Sequence, residues 1–299
     1  MTARPTLVPG GGLVRAMPWL FVLIWSTGFI VARFGMPHSP PFTFLSLRYV
    51  LSVLCFALWI RWSRAAWPRD RRQWFHLAVT GVLMQAGYLG GVWAAVKAGI
   101  GAGTVALLVG LQPVLTALWI SGASRDGRHH AVTPVQWAGL VLGLGGLALV
   151  VWRKLGAGEI TAVNLTLAVV ALLSITTGTL YQKRYLAPGD VRTAGAIQML
   201  AALVVSLPLA LIEGEAIAWH PEFVGALAWS VLALTLGGSS LLYLLIQRGA
   251  ATQVTSLLYL VPPCTAVLAW LIFGESLTAG MLAGMALTAM GVAMVVRNP

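Results

Sequence analysis

The chain is short of charge, and shortest of acid. Of its 299 residues 9% are charged, with 8 Asp or Glu against 19 Lys or Arg; soluble domains carry about 25% charge. All eight acids (Asp70, Asp126, Glu159, Asp190, Glu213, Glu215, Glu222 and Glu275) fall between apolar runs or at their ends. Proton relays in membrane pumps need ionisable groups at depth, so no proton-coupling carboxylate is visible. Cys55 and Cys264, the two cysteines, both lie inside apolar runs and make no disulfide framework. Of five histidines, His76 alone lies within a run. No metal-ligand cluster and no nucleophile with a base stands out, and there is no Gly-x-x-x-x-Gly-Lys-Ser/Thr loop to cradle a nucleotide phosphate. The sequence therefore predicts no enzyme, no metal and no cofactor. A net charge of +11 would suit nucleic acid. The basic residues come in short clusters with no continuous basic face, so no nucleic-acid partner is expected.

What the chain has in quantity is apolar surface. Some 59% of it is hydrophobic, in recurring runs near twenty residues, each long enough to cross ~30 Å of hydrocarbon as a helix. The pattern predicts an all-α integral membrane protein embedded in a lipid bilayer. Ten spans are expected, at about 14–34, 42–62, 74–97, 101–121, 133–153, 162–182, 192–212, 222–246, 251–272 and 278–296. Met1 to Gly12 lacks a short apolar core with a small-residue cleavage site, so the first span is expected to be retained.

With the N-terminus placed in the cytoplasm, fourteen Arg and Lys fall inside, while Arg33, Lys97, Arg153 and Lys154 fall outside. That asymmetry obeys the positive-inside rule. Both termini are then cytoplasmic, and Glu213, Glu215 and Glu222 lie outside.

The chain also repeats itself. Gly28, Arg33, Arg48, Gly87 and Trp93 answer to Gly178, Lys183, Gln198, Gly237 and Tyr243 at an offset of 150. Pro113 answers to Pro262 and Asp126 to Glu275 at 149; Gly139 answers to Gly284 and Gly146 to Gly291 at 145. Residues 1–155 and 156–299 are thus expected as two repeats of five spans each. An odd number of spans makes the second half enter from the opposite side, and inverted repeats around a midplane site are the architecture of alternating-access transporters.

The repeated residues carry a family likeness. Trp25, Ser26, Thr27 and Gly28, with Arg33 at the end of the first span, resemble the opening motif of the EamA-domain transporters of the drug/metabolite transporter superfamily. Arg48, Pro113, Pro262 and the pair Gly274 and Glu275 fit the same pattern. Length and aromatic- and glycine-rich spans are most similar to the bacterial amino-acid and drug exporters of the YddG kind. The resemblance implies ten helices in two inverted repeats with a central cavity between spans 1, 3, 4, 6, 8 and 9. It also implies export of small metabolites. Where the family often has Gly-Glu after span 4, this chain has Arg125 and Asp126.

Candidate site residues follow from spacing and depth. Gln85 and Tyr88 are three apart; Thr177 and Tyr181, Ser239 and Tyr243, and Thr255 and Tyr259 are each four apart. Such pairs share a helix face and present a hydroxyl or amide beside a ring. Trp25 and Trp93 lie deeper than the tryptophans near span ends, and Gln112 neighbours Pro113. These residues are expected to line the cavity. Gly28, Gly178, Pro113 and Pro262 are expected to allow bends. Arg48 sits six residues inside span 2, roughly 9 Å along a helix. It either snorkels or faces the bundle, paired with carbonyls or a substrate carboxylate and holding the outer gate, with Gln198 as its counterpart. Glycines 139–146 and 280–291 suggest close helix contacts in spans 5 and 10, or a homodimer seam.

The expected cargo is a small neutral or zwitterionic, partly apolar metabolite, an amino acid above all. Other metabolites or cationic drugs, and a passive channel, are the competing readings.

Overall fold

The structure, a computed structural model, describes residues 12–123, 134–156, 158–187, 189–238, 241 and 260–297. Among these residues there is helix, turn and loop, and no strand. The helices in chain order are α1 (Gly12–Gly35), α2 (Pro41–Ser63), α3 (Arg71–Lys97), α4 (Ala102–Val109), α5 (Gln112–Ala123), α6 (Pro134–Gly156), α7 (Ala162–Tyr185), α8 (Val191–Glu213), α9 (Pro221–Gly238), α10 (Val261–Phe273) and α11 (Ala279–Arg297). Six of them hold stretches long and apolar enough to cross a membrane, in α1, α2, α3, α7, α8 and α9; four shorter apolar stretches are Ala102–Thr116, Trp137–Trp152, Val261–Phe273 and Ala279–Gly291.

Local chemistry sets the helix ends. Pro41 and Pro221 occupy the first turns of α2 and α9, where a missing N–H costs nothing. Asp70 and Asp190 cap α3 and α8 through the N–H groups of Arg72 and Arg192. Thr161 and Asn164 cap α7 reciprocally. Gly214 and Gly274 end α8 and α10 at φ 67° and 66°, where a side chain would be strained.

The helix directions give the bundle two unlike ends. One end gathers the last turns of α1, α3, α8 and α10 with the first turns of α2, α4, α7 and α9. It holds most of the acids. The Glu213 carboxylate accepts from Phe42 N and Thr43 N at 2.8 Å each, Glu275 from Ala102 N at 2.9 Å, and Lys97 donates to Glu215 at 2.8 Å. The opposite, basic end brings Thr193 to the carbonyl of Ala66 and Gln73 to that of Ala187. α1 runs toward the acidic end and α7 away from it.

Large apolar side chains face outward. Leu58, Leu211 and Ile212 are 72%, 78% and 79% exposed, as suits helices whose surroundings are hydrocarbon. Trp19, Trp62 and Trp152 are exposed at span ends, where an amphipathic ring belongs at the membrane interface.

Both prolines expected to allow bends stand at the start of a helix. α4 stops at Val109 and α5 starts at Gln112, so Pro113 opens a new helix; Pro262 likewise sits in the first turn of α10. Proline is preorganised for that position. The two interruptions lie close together, since a Cβ on Gly110 would come within 2.8 Å of the Pro262 ring.

Glycines 139–146 and 284–291 face one another within one chain. A Cβ on Gly146 would lie 2.5 Å from the Gly284 carbonyl oxygen, and one on Gly291 would run into Gly139 and Gly143. The glycine faces considered for a dimer seam are thus filled by the α6–α11 crossing itself.

Candidate functional site

Two helices change winding at the same depth. α3 carries π-helical turns over Val82–Gly87 and α9 over Ser230–Gly238. An offset of 150 carries the first of these onto 232–237, inside the second. Such turns leave carbonyls without their ordinary partners and recur at functional sites. Here the Tyr49 hydroxyl donates to the Gln85 carbonyl at 2.8 Å, and the Thr235 hydroxyl donates to the Ser230 carbonyl, five residues back, at 2.9 Å.

Between these turns lies a cavity of about 110 Å³, lined by Trp25, Gly28, Phe29, Arg48, Met84, Gln85, Tyr88, Leu89, Val92, Trp93, Ile175, Met199, Leu234 and Thr235. A water needs roughly 10–15 Å³ of such space, so the room suits a small metabolite of about ten heavy atoms. Both halves of the chain contribute to the wall.

Arg48 is the charge in that wall. Its residue is 6% exposed, and its Nη2 and Nε donate to Thr235 Oγ1 at 3.2 and 3.4 Å. The Thr235 proton is already engaged with Ser230, so its oxygen is fixed as an acceptor for the guanidinium. A guanidinium has five donors; among the described residues Arg48 has no other hydrogen-bond partner and no carboxylate. Its remaining donors are left to the cavity. Arg48 thus lies buried in the cavity wall and faces the bundle.

Toward the acidic end the cavity is stopped by aromatic rings. Phe44, Trp93 and Phe223 are all within 1% of full burial, with the Phe44 ring 4.4 Å from that of Trp93 and 5.4 Å from that of Phe223. Beyond them, His38 Nε2 meets Glu222 Oε2 at 3.1 Å and stacks on His220. Sequence reading found no convergent metal-type ligands, yet His38, His220 and Glu222 bring ligand atoms within 4.8 Å of one another. They come from the turn after α1 and from the start of α9, so only the fold unites them.

Of the expected cavity residues, Trp25, Gln85, Tyr88 and Trp93 line it, together with Gly28 and Arg48. Three others lie elsewhere. Gln112 donates to Thr179 at 2.8 Å, Thr177 bonds back to the Leu173 carbonyl of its own helix, and Tyr181 bonds His76 Nδ1 at 2.6 Å near the basic end. Gln198 lies on α8 with its backbone against Gly81. Helical spacing put Thr177 and Tyr181 on one face, but that face meets α3 and its own backbone. Gly178 packs on Met84 as Gly28 packs on Leu234. Pro113 and Pro262 begin helices outside the wall. Ser239, Tyr243 and Tyr259 lie outside the described residues.

Thr235 is the partner that sequence reading missed. A signal existed, since Thr235 stands 150 residues after Gln85. Phe29, Met84, Leu89, Val92, Ile175, Met199 and Leu234 had no signal beyond being apolar, which most of the chain is.

Residues 17–152 and 163–297 each match the model of the EamA-like transporter family. The chain belongs to that family. It is 26% identical over 262 residues to "Uncharacterized inner membrane transporter YedA" of Escherichia coli, covering 86% of this chain and 81% of that one. It is 23% identical over 282 residues to a "Probable amino-acid metabolite efflux pump" of Salmonella typhimurium, covering 91% of each. A solved crystal structure shares the fold at a TM-score of 0.66 and 16% identity, covering 93% of this chain and 95% of that one. This EamA-family protein is therefore a transporter in the drug/metabolite transporter superfamily.

Proposed function

We propose that the protein exports small neutral or zwitterionic amphipathic metabolites, amino acids foremost, across the bacterial inner membrane by alternating access. The observation that carries this reading is the cavity shared by both halves, with a buried arginine on one wall and aromatic and thioether groups on the others. The relative named as an amino-acid metabolite efflux pump points the same way, and the one named as an inner membrane transporter supports the location. Cationic drugs fit poorly, because Arg48 already brings a positive charge to the wall.

Ten spans in two inverted five-helix repeats, 1–155 and 156–299, are the architecture proposed for this motion. Several contacts support it. Gly28 meets Leu234 and Gly178 meets Met84, a pair of contacts that the offset of 150 exchanges. Gly146 meets Gly284 and Gly291 meets Gly139, exchanged by the offset of 145. A two-fold axis requires that reciprocity. The acidic end is then the outer face, shut in this conformation, and both termini are cytoplasmic.

In a working cycle the halves rock about the cavity. The aromatic stop and the acidic-end contacts part on one side as the basic end closes on the other. The test is countertransport by the purified protein in proteoliposomes loaded with labelled amino acids, sugars and nucleotides. Saturable exchange of apolar amino acids is expected. Exchange of nucleotide sugars without amino acids would overturn the substrate reading, and flux that does not saturate would indicate a channel.

A further inference from the structure

We infer that the cavity recognises the carboxylate of its substrate and not the amine, so that the preferred cargo is a monocarboxylate carrying net negative charge and an apolar body. Branched or aromatic 2-oxo acids and N-acylated amino acids are the class that fits. The inference rests on the proposed transport of small amphipathic metabolites and departs from it in the charge of the preferred cargo.

The argument is one of charge balance. Arg48 gives the empty wall one positive charge, fixed by Thr235 with donors left over. A planar carboxylate is the group those donors match in pairs. The ammonium of a zwitterion would then need an anion of its own, and the chain has none to give. Seven of its eight acids are described, and each sits at an end of the bundle: Asp70, Asp190, Glu159, Glu213, Glu215, Glu222 and Glu275. The eighth, Asp126, falls in the connection between apolar runs by sequence, and residues 223–274 contain no acid at all. Among the described residues no carboxylate therefore stands at cavity depth, and side chains 239–259 add none. An ammonium there can meet at most the amide oxygen of Gln85 or the hydroxyl of Tyr88.

A bound zwitterion thus leaves the site with the net positive charge it began with, in a low-dielectric surrounding where an uncompensated charge is costly. A monoanion leaves it neutral. The rest of the wall asks nothing polar of the substrate: Phe29, Met84, Val92, Met199 and Leu234 present carbon and sulfur.

The test is competition binding and countertransport on the purified full chain at neutral pH, with compounds sharing one side chain. L-phenylalanine, phenylpyruvate, N-acetyl-L-phenylalanine and L-phenylalaninamide form such a set. The oxo acid and the acetylated acid should compete more strongly than the amino acid, by about tenfold, and the amide should not compete. Arg48→Gln should remove the preference for carboxylates, and Arg48→Lys should keep part of it, which separates loss of charge from loss of fold. Binding of L-phenylalanine tenfold tighter than the oxo acid or the acetylated acid would overturn the inference and leave amino-acid export standing. Failure of all four to bind, with saturable exchange of some other class, would overturn the proposed function and the inference together.

Discussion

At the α6–α11 crossing, Gly146 meets Gly284 and Gly291 meets Gly139, so the two halves do the same thing to each other. At the cavity, Arg48 meets Thr235, while the residues that the offset of 150 pairs with them are Gln198 and Gln85, two neutral amides. The contrast separates two demands on a repeated transporter. A hinge or scaffold contact works equally well from either side, and backbone-to-backbone packing leaves no room for anything but glycine. A binding wall has to hold a substrate with distinct ends, so duplicating a buried cation there would double an uncompensated charge. In the proposed two-fold arrangement the cavity keeps the reciprocal contacts Gly28–Leu234 and Gly178–Met84 and departs from symmetry at Arg48 and Thr235, where the charge stands.

The largest effect should come from breaking the symmetric contact. Gly146→Ala and Gly291→Ala each push a methyl into the facing helix backbone, and overpacking of that kind costs about 1–3 kcal/mol. Leucine at either site should abolish monodisperse protein. Gly145→Ala is the control, since nothing lies within 4 Å of a Cβ there, and alanine in a helix is favoured over glycine by roughly 0.5–1 kcal/mol. Thermal unfolding of the three variants in detergent measures this. Similar losses at 146 and 291 with none at 145 are expected; a loss at one of the pair alone would break the proposed two-fold relation.

The cavity should show the opposite behaviour. Removing a hydrogen bond to a charged group costs about 1.5–3 kcal/mol, so Arg48→Gln should weaken substrate binding by roughly ten- to a hundredfold. Thr235→Val removes the hydroxyl that orients the guanidinium and should cost about 0.5–1.5 kcal/mol. Gln198→Ala, at the symmetry-related position, should change binding by less than about twofold, within the range of changes remote from a site. Isothermal titration or scintillation proximity binding on purified variants resolves these differences. Equal losses from Arg48→Gln and Gln198→Ala would mean that the wall is symmetric after all.

Much of this was legible in the sequence because membrane spans announce themselves by length and composition. The expected span at 42–62 is helix Pro41–Ser63, and that at 192–212 is Val191–Glu213. The internal offset likewise identified Gly28, Arg48 and Trp93, all of which line the cavity. Winding was not legible. Nothing in Val82–Gly87 or Ser230–Gly238 marks a π-helical turn, because its cause lies in tertiary partners such as Tyr49 for the Gln85 carbonyl. The prolines mark where the apolar runs are interrupted, but a proline in a long apolar run looks the same whether it bends one helix or starts another. Thr177 and Tyr181 were misassigned because spacing fixes a shared face but not what that face meets.

The smallest effects concern how equivalent helices begin. An offset of 150 relates Pro40, before α2, to Asp190, before α8. Asp190 caps its own helix through Arg192 N at 2.9 Å and pairs with the Arg192 side chain at 2.5 Å. Proline has no such side chain, and the start of α2 is capped instead by Glu213 from the other half of the chain. Loss of a cap costs about 0.5–2 kcal/mol, and Asp190→Ala, at a partly exposed site, should fall at the low end with transport unchanged. The Arg192 hydrogen bond holds the Asp190 carboxyl below the ordinary carboxylate range. Its contribution is therefore complete above the unfolded value near 3.9 and fades as pH falls through the lower folded value. Wild type and Asp190→Ala should accordingly converge in unfolding temperature only in strong acid. Glu213→Ala should cost a similar amount of stability but also change the rate of countertransport, because its bonds cross between the halves and have to part if the acidic end opens. An unchanged rate in Glu213→Ala would show that α2 and α8 move together and that the opening lies elsewhere, between α1 and α9 or between α4 and α10.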